Sequence, residues 1–236
     1  MPGDPELWTR GHAEAASHGL GAALTLLHGV LGPGTLAGGI SGHAVAPLEV
    51  ARTAHRVWTG ERYVDLPSHR RQEAGPVVLD GSGLTTLRWE PRQPDERPGT
   101  PAARDWERGW GTALAWVRLG HSRRLFGLAT AHLGQRTSAG SPLLRRQLVQ
   151  GSVADAVVEH LEIESALTAA GSAALTGAGL GHWHDRLTAV DRLLLRLLGA
   201  GGYTAAGPGR AAYASELLSD VYVRPRDGHA AVGGEL

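Results

Sequence analysis

From Trp106 to Tyr222, apolar residues return at steps of three and four in four successive segments, and the glycine-rich run Gly199-Ala200-Gly201-Gly202 separates the last two. This pattern constrains the fold more than any other, because only a helix puts such positions on one face. Trp106, Trp110, Ala113, Leu114, Val117, His121, Leu125 and Leu128 mark the first segment. Leu144, Leu148, Val153, Val157, Leu161 and Ser165 mark the second, with Ser141-Pro142 as its predicted start. The third runs from about Trp183 to Leu198, with Leu187, Val190, Leu194 and Leu197 inward, and Gly199 ends it. The fourth begins near Pro208 and reaches about Tyr222. Four amphipathic helices in a row predict a mainly α chain whose residues 105–223 form an antiparallel, up-down four-helix bundle.

Upstream the signals are mixed. Residues 6–37 read as helix, stopped or kinked at Gly32-Pro33-Gly34, and Ala46–Trp58 reads as helix too. Arg62–Leu66, Pro76–Leu79 and Leu84–Trp89 read as short strands, with Asp80-Gly81-Ser82-Gly83 as a turn. Pro91, Pro94, Pro98 and Pro101 mark a linker over 90–104. The expected organisation is therefore an N-terminal helical segment (1–60), a short β region with a Pro-rich linker (61–104), the bundle (105–223) and a flexible tail (224–236).

Charge narrows the function classes. The 23 basic residues balance the 23 acidic ones, which argues against nucleic acid as a partner. No run approaches the ~20 apolar residues that span a bilayer. The N-terminus shows no signal-peptide pattern, so a cytoplasmic location is expected. The chain has no cysteine, which excludes disulfides and thiolate metal sites.

Three features carry a family resemblance. Arg136-Thr137-Ser138-Ala139-Gly140 is an Arg-x-x-x-Gly step, with Gln147 seven residues past its glycine and Ala154-Asp155 beyond. Leu119-Gly120 and Arg124 precede it. Leu197-Leu198-Gly199-Ala200-Gly201-Gly202-Tyr203-Thr204 follows, with Pro208 four residues later. In order and spacing these resemble the C-terminal helical domain of acyl-CoA dehydrogenases, over about half the chain. Residues 13–36, with His28 in the middle, resemble more loosely the last helices of that family's N-terminal domain. The resemblance implies FAD as cofactor, an acyl thioester as substrate, and a homo-oligomer or a heteromer with a full-length acyl-CoA dehydrogenase. It also implies that Arg136, Gln147, Gly199, Gly201 and Gly202 contact the cofactor. An Arg suits this role because its fork of donors binds pyrophosphate oxygens in fixed geometry. The alternative for Arg136 is a solvated arginine at a helix end, near the negative pole of the helix dipole.

Departures from the family pattern are as informative. The Phe of its Arg-x-x-Phe-Gly step is Ala139 here, and the Gln before the glycine turn is Arg196. The two positions where the family places its catalytic carboxylate hold Val223 and Trp110. Neither accepts a proton. Glu107 and Asp220 each lie about one turn away and are the candidate replacement bases; the alternative is that both are exposed helix-end carboxylates.

Other clusters read as structural. His182-Trp183-His184-Asp185 suits a helix start capped by Asp185, since two His one residue apart diverge on a helix. Glu159, His160, Glu162 and Glu164 suit a solvated or subunit-facing surface. The expected function is a degenerate acyl-CoA dehydrogenase-like subunit that assists FAD-dependent oxidation in an intact partner. Two alternatives are a flavin-independent lyase, isomerase or cyclase using the vacated helical cavity, and a non-catalytic binding protein.

Overall fold

The computed structural model describes residues 4–39, 42–66, 77–79, 83–89, 100–170, 177–204 and 207–223. The expected turn at 80–83, most of the linker, and the tail from 224 lie largely or wholly outside them. The described part is mainly helical, with short strands inserted near the N-terminus.

The expected first helix is two helices. Helix α1 (Pro5–His18) starts on an Asp4 cap that accepts from the Glu6 backbone N–H, with proline at the first position. Gly19, at φ +89°, breaks it from α2 (Leu20–Gly29). Past Gly32-Pro33-Gly34 the chain turns extended, as β1 (Thr35–Ala37), so the helical reading to residue 37 is overturned. The helix expected over 46–58 is also corrected. There the chain forms β2 (His43–Pro47), a six-residue helix α3 (Leu48–Thr53) and β3 (Arg56–Trp58). β2 is mostly buried and β3 is buried at its centre, Val57, and apolar runs of this length look alike in buried strand and buried helix. Then follow β4 (Tyr63–Asp65), β5 (Val77–Leu79) and β6 (Leu84–Arg88). One sheet has the order β1-β3-β4, with β1 and β3 parallel; the other has β2-β6-β5, all antiparallel.

The bundle is built on α4 (Pro101–Gln135), which starts earlier than expected because Thr100 caps it by accepting from the Ala103 N–H. A two-stranded hairpin, β7 (Thr137–Ser138) and β8 (Ser141–Pro142), follows it. Ser141-Pro142 is thus strand and not a helix start; α5 runs over Gln147–Ala170. Helix α6 (Gly177–Leu198), a 3₁₀ turn (Gly199–Tyr203) and α7 (Gly209–Tyr222) complete the described chain. The contact register shows the up-down order. Phe126 meets His160, while Ala115 and Leu119 share a cluster with Ile163 and Leu167, so α4 and α5 are antiparallel. Arg192 of α6 pairs with Glu216 of α7, and Leu198 packs with Ala212 in the same sense.

Helix α4 is nearly all buried from Trp106 to Leu125. One flank takes α1, at a point where Gly120 lies so close that an added Cβ would meet the His12 carbonyl oxygen at 2.2 Å. Trp106 and Trp110 stack with ring centroids 5.5 Å apart, and Trp110 meets Tyr222 and His28 edge-on. The Tyr222 hydroxyl accepts from the Val45 N–H at 3.0 Å and lies 3.2 Å from the Ala37 and Val45 carbonyls. That phenol joins the last helix to both sheets.

On α5 the inward face is not the expected one. Ala156, His160, Ile163 and Leu167 are buried, whereas Leu148, Val157 and Leu161 are exposed. Leu128 of α4 is exposed as well.

Gly120→Ala should destabilise the protein by about 1–3 kcal/mol, because backbone and not a flexible side chain occupies the space the methyl needs. Gly127→Ala, on the same helix with open space around it, should instead gain about 1 kcal/mol. Urea denaturation of the two variants checks the pair; equal effects would refute the close approach of α1 and α4.

Candidate functional site: a buried polar seam and an open bundle end

A seam of polar side chains runs through the bundle centre. Arg118 is fully buried. Its Nε donates to Ser215 Oγ at 3.0 Å and its Nη2 to Thr188 Oγ1 at 2.7 Å. Its Nη1 reaches both the His184 carbonyl (3.1 Å) and His184 Nδ1 (2.8 Å). A guanidinium can only donate, so His184 Nδ1 is the acceptor and Nε2–H donates to the Gly111 carbonyl at 3.1 Å. His184 is therefore held as the neutral Nε2–H tautomer. Ser215 donates in turn to Asp191 Oδ2 at 3.4 Å, and Ser122 meets His160 Nε2 at 2.8 Å. Burial pushes the Asp191 carboxyl up to about 6, against hydrogen bonds from Ser122 and Ser215 and the Arg118 charge, which pull it down.

Asp191 also lines a cleft of about 430 Å³ between α6, the glycine turn and α7, walled by Tyr203 and Tyr213. Its Oδ1 is buried without a hydrogen-bond partner among the described residues. Arg192 at the rim is paired with Glu216.

The seam was not legible as a site. Its one sequence signal is that Arg118 and Ser122 lie four and eight residues past Leu114, on an otherwise apolar stripe. The His182–Asp185 stretch is not a helix start, because α6 begins at Gly177. His182 is exposed and His184 buried, so the two diverge, and Asp185 is exposed inside the helix rather than at its cap. His160 is not solvated; it is buried while Glu159 and Glu162 pair with Arg186, and Glu164 with Arg123.

The cofactor candidates fall at one end of the bundle. Arg136 is the C-cap of α4, exposed, and its carbonyl accepts from Leu143 N–H at 2.7 Å. Ala139 (φ +51°) and Gly140 (φ +76°) form a tight hairpin turn in which Ala139 carries a left-handed strain that glycine or asparagine avoids. Gln147 is exposed at the start of α5. The glycine turn comes back to the same end: the nearest atom to a Cβ on Gly201 would be His132 Cε1 at 3.9 Å, one turn before Arg136. Gly199 sits at φ +61° with open space around it, whereas Gly202 is buried against Leu195 and Leu198.

The two candidate bases lie on different helices, Glu107 on α4 and Asp220 on α7. Glu107 is half-buried, and its carboxyl is raised by burial and then by the neighbouring Glu61 charge. Glu61 is held by the Thr100 N–H beside the β3–β4 turn, so Glu107 faces that turn and not the core around Trp110. Asp220 is partly buried on α7 and has an interacting partner. Trp110 is 1% exposed, and Val223 packs against Trp110's cluster.

No family model and no curated protein matches the chain. Solved structures do. The Tcur3481-Tcur3483 steroid acyl-CoA dehydrogenase aligns at TM-score 0.53 and 22% identity, over 90% of this chain and 70% of that one. FkbI, described as acting in biosynthesis of the methoxymalonyl extender unit of the Fk520 polyketide, aligns at TM-score 0.50 and 19% identity, over 78% of this chain. This chain spans 60% of the FkbI chain. The protein has an acyl-CoA dehydrogenase-like fold, and at these identities the likeness concerns fold alone. Among the described residues no helix is long and apolar enough to cross a membrane.

Buried titrating groups set the pH response. Burial lowers His28, His121 and His160 to about 4. An unfolded His titrates near ~6.5, so the unfolded chain binds more protons between those values. The stability these groups contribute is full above that range and is lost as pH falls toward 4, by about 3 kcal/mol for each fully buried ring. Asp191 acts in the opposite sense: its raised pKa favours folding at low pH and loses that contribution as pH rises through about 6. Three histidines outweigh one aspartate. Urea denaturation should show lower stability at pH 4.5 than at pH 7, and the reverse order would refute this assignment. His121 has both ring nitrogens buried without a partner among the described residues. His121→Leu should therefore stabilise the protein by about 1–3 kcal/mol at neutral pH in the same assay, while a loss would show that the ring is satisfied.

Proposed function

We propose that this chain is an accessory acyl-CoA dehydrogenase-like subunit. It pairs with an intact relative through the bundle of residues 105–223 and contributes Arg136 and the glycine turn to that partner's FAD. The partner supplies the base for oxidation of an acyl thioester.

The observation that carries the reading is a contrast within the bundle. At the open end, Arg136, Gln147, Gly199 and Gly201 are accessible, and Arg136 makes no side-chain hydrogen bond or ion pair among the described residues. In the interior, both positions where the resemblance expects a base hold apolar side chains inside a packed aromatic cluster. The end fits an edge of FAD: a fork of donors for pyrophosphate oxygens, beside glycine backbone with space for close approach. When bound, FAD supplies the hydride acceptor. This chain's own part is to bind and orient. Arg136 ends α4 directly before a hairpin pinned by Arg146, which donates to the Ser138 carbonyl at 2.7 Å. The packed interior also weighs against a flavin-free enzyme using a vacated cavity, since Trp106, Trp110 and Tyr222 fill that space.

Two further points support pairing. The outward face of α5 exposes Val158 (51%) and Leu161 (56%), apolar side chains that suit burial by another subunit. One of the structural neighbours is itself named as a pair, Tcur3481-Tcur3483.

The test is co-expression with an intact acyl-CoA dehydrogenase encoded beside it in its native genome. The complex should carry flavin, visible by its absorbance, and Arg136→Ala should weaken flavin binding in the complex about tenfold, as expected for loss of a charge-assisted fork. Glu107→Gln and Asp220→Asn should leave flavin binding and turnover unchanged. Alone, with FAD and an electron acceptor, the chain should not oxidise acyl thioesters, because a missing general base costs about 10²–10⁴-fold or more. Oxidation by the isolated chain, or failure of any intact relative to associate with it, overturns the proposal.

A further inference from the structure

A second cleft, of about 840 Å³, lies at the other part of the molecule, between α2, the turn after it, α3 and β3. His28, Gly34, Thr35, Val50, His55 and Arg56 are among the residues that line it. It shares no residue with the bundle end or with the polar seam, so a ligand bound here is independent of the accessory role of the bundle end.

The polar groups here are committed in an uneven way. Thr25 donates its hydroxyl proton to the Gly21 carbonyl at 2.9 Å, and Thr53 donates to the Glu49 or Val50 carbonyl, each at 3.2 Å. Thr35 Oγ1 accepts from Arg56 Nε at 2.8 Å. That bond, with the Tyr63 ring 4.3 Å from Arg56 Cζ, fixes the guanidinium and leaves both Nη groups without a partner among the described residues. His55 lies against Gly34, where an added Cβ would come within 2.2 Å of its ring, so glycine at φ +68° positions that imidazole.

His28 is the deciding group. Its Nδ1 is 2.9 Å from the Leu24 carbonyl, which can only accept, so the proton sits on Nδ1. Nε2 then presents a bare lone pair, buried and without a hydrogen-bond partner among the described residues. The ring is held edge-on to Trp110 at 5.3 Å. A buried acceptor with no donor is unfavourable, and a ligand that brings a donor removes the defect.

The ligand must therefore carry a hydrogen-bond donor for His28 and an acceptor, best an anion, for Arg56 and His55. None of the described residues lining the cleft is acidic, so an ammonium donor would enter beside Arg56 without compensation. A hydroxyl has no such penalty. We propose that this cleft binds a hydroxy acid, whose hydroxyl donates to His28 Nε2 and whose carboxylate is taken by Arg56. The volume admits an acyl chain beyond the two polar groups, against Pro33 and Val50.

Calorimetric titration of the full chain tests this with 3-hydroxybutyrate and 3-hydroxyoctanoate as probes, and butyrate and octanoate as their deoxy controls. At least one hydroxy acid should bind about tenfold or more tighter than its control. Arg56→Gln should weaken that binding about tenfold, and His28→Phe should reduce the preference over the deoxy control to about twofold or less. Circular dichroism checks that each variant is folded. If His28→Phe does not fold, the hydroxy-to-deoxy preference of the wild type and the effect of Arg56→Gln decide alone. No saturable binding of either hydroxy acid, equal affinity for the deoxy acids, or indifference to Arg56→Gln overturns the assignment.

Discussion

The whole bundle is organised around one buried cation. Taking the Arg118 guanidinium out of water costs several kcal/mol unless its donors are met and its charge is offset. Both conditions hold: Ser215, Thr188 and His184 take the donors, and the Asp191 carboxyl lies in the same seam. Those partners come from α6 and α7, while the arginine comes from α4. The guanidinium is a rigid planar fork, so rotation or slippage of any of the three helices would strand a donor or an acceptor in the core. Gly111 belongs to the same constraint. Its carbonyl fixes the far side of His184, and a Cβ there would come within 2.5 Å of Leu180. Apolar packing alone tolerates many registers; this seam permits one.

Around the seam, interior and ends divide the labour. The Trp106–Trp110 stack, the His28 edge and the Tyr222 phenol fill the region where α4, α7 and the two sheets converge. Large rigid aromatic rings there give a core with little room for substrate. Polar groups toward the periphery are Arg136 and the glycine turn at one end, and Arg56 and His55 on the wall of the cleft beside α2 and α3, with the buried His28 ring behind them. Neither position where the resemblance expects a base holds a titratable side chain, since Trp110 and Val223 pack into this aromatic cluster.

Helix α5 shows where a periodic pattern loses its power to choose. It carries two apolar stripes. Ala156, Ile163 and Leu167, with His160 between them, face the bundle, and Val158 and Leu161 face outward. Periodicity cannot decide between stripes of similar strength, and the four-residue step from Val157 to Leu161 points to the wrong one as inward. The outward stripe is then a surface with apolar character and no cover among the described residues, which is what a subunit contact requires.

The sequence by itself determined the helices that have one dominant apolar face and clear ends. In α6, Leu187, Val190 and Leu194 are buried as their spacing requires, and Gly199, at φ +61°, stops the helix where a residue with a Cβ would be strained. The Arg136-to-Gly140 step, Gln147 and the glycine turn were also legible, because local motifs keep their order along the chain, and they pointed to the acyl-CoA dehydrogenase-like fold. Only the tertiary structure decided the short strands β1, β2 and β3, whose apolar residues are buried by neighbours far along the chain and show no period. It alone decided that Arg118, Ser122, His184 and Asp191 form one seam. It also decided that His28, a single histidine on an apolar helix, presents a bare nitrogen beside a cleft with Arg56 on its wall. Periodicity records which side chains leave water. Which partner each one meets there is set by helices and strands packing against each other, and a polar residue on an apolar stripe has no meaning until that partner is known.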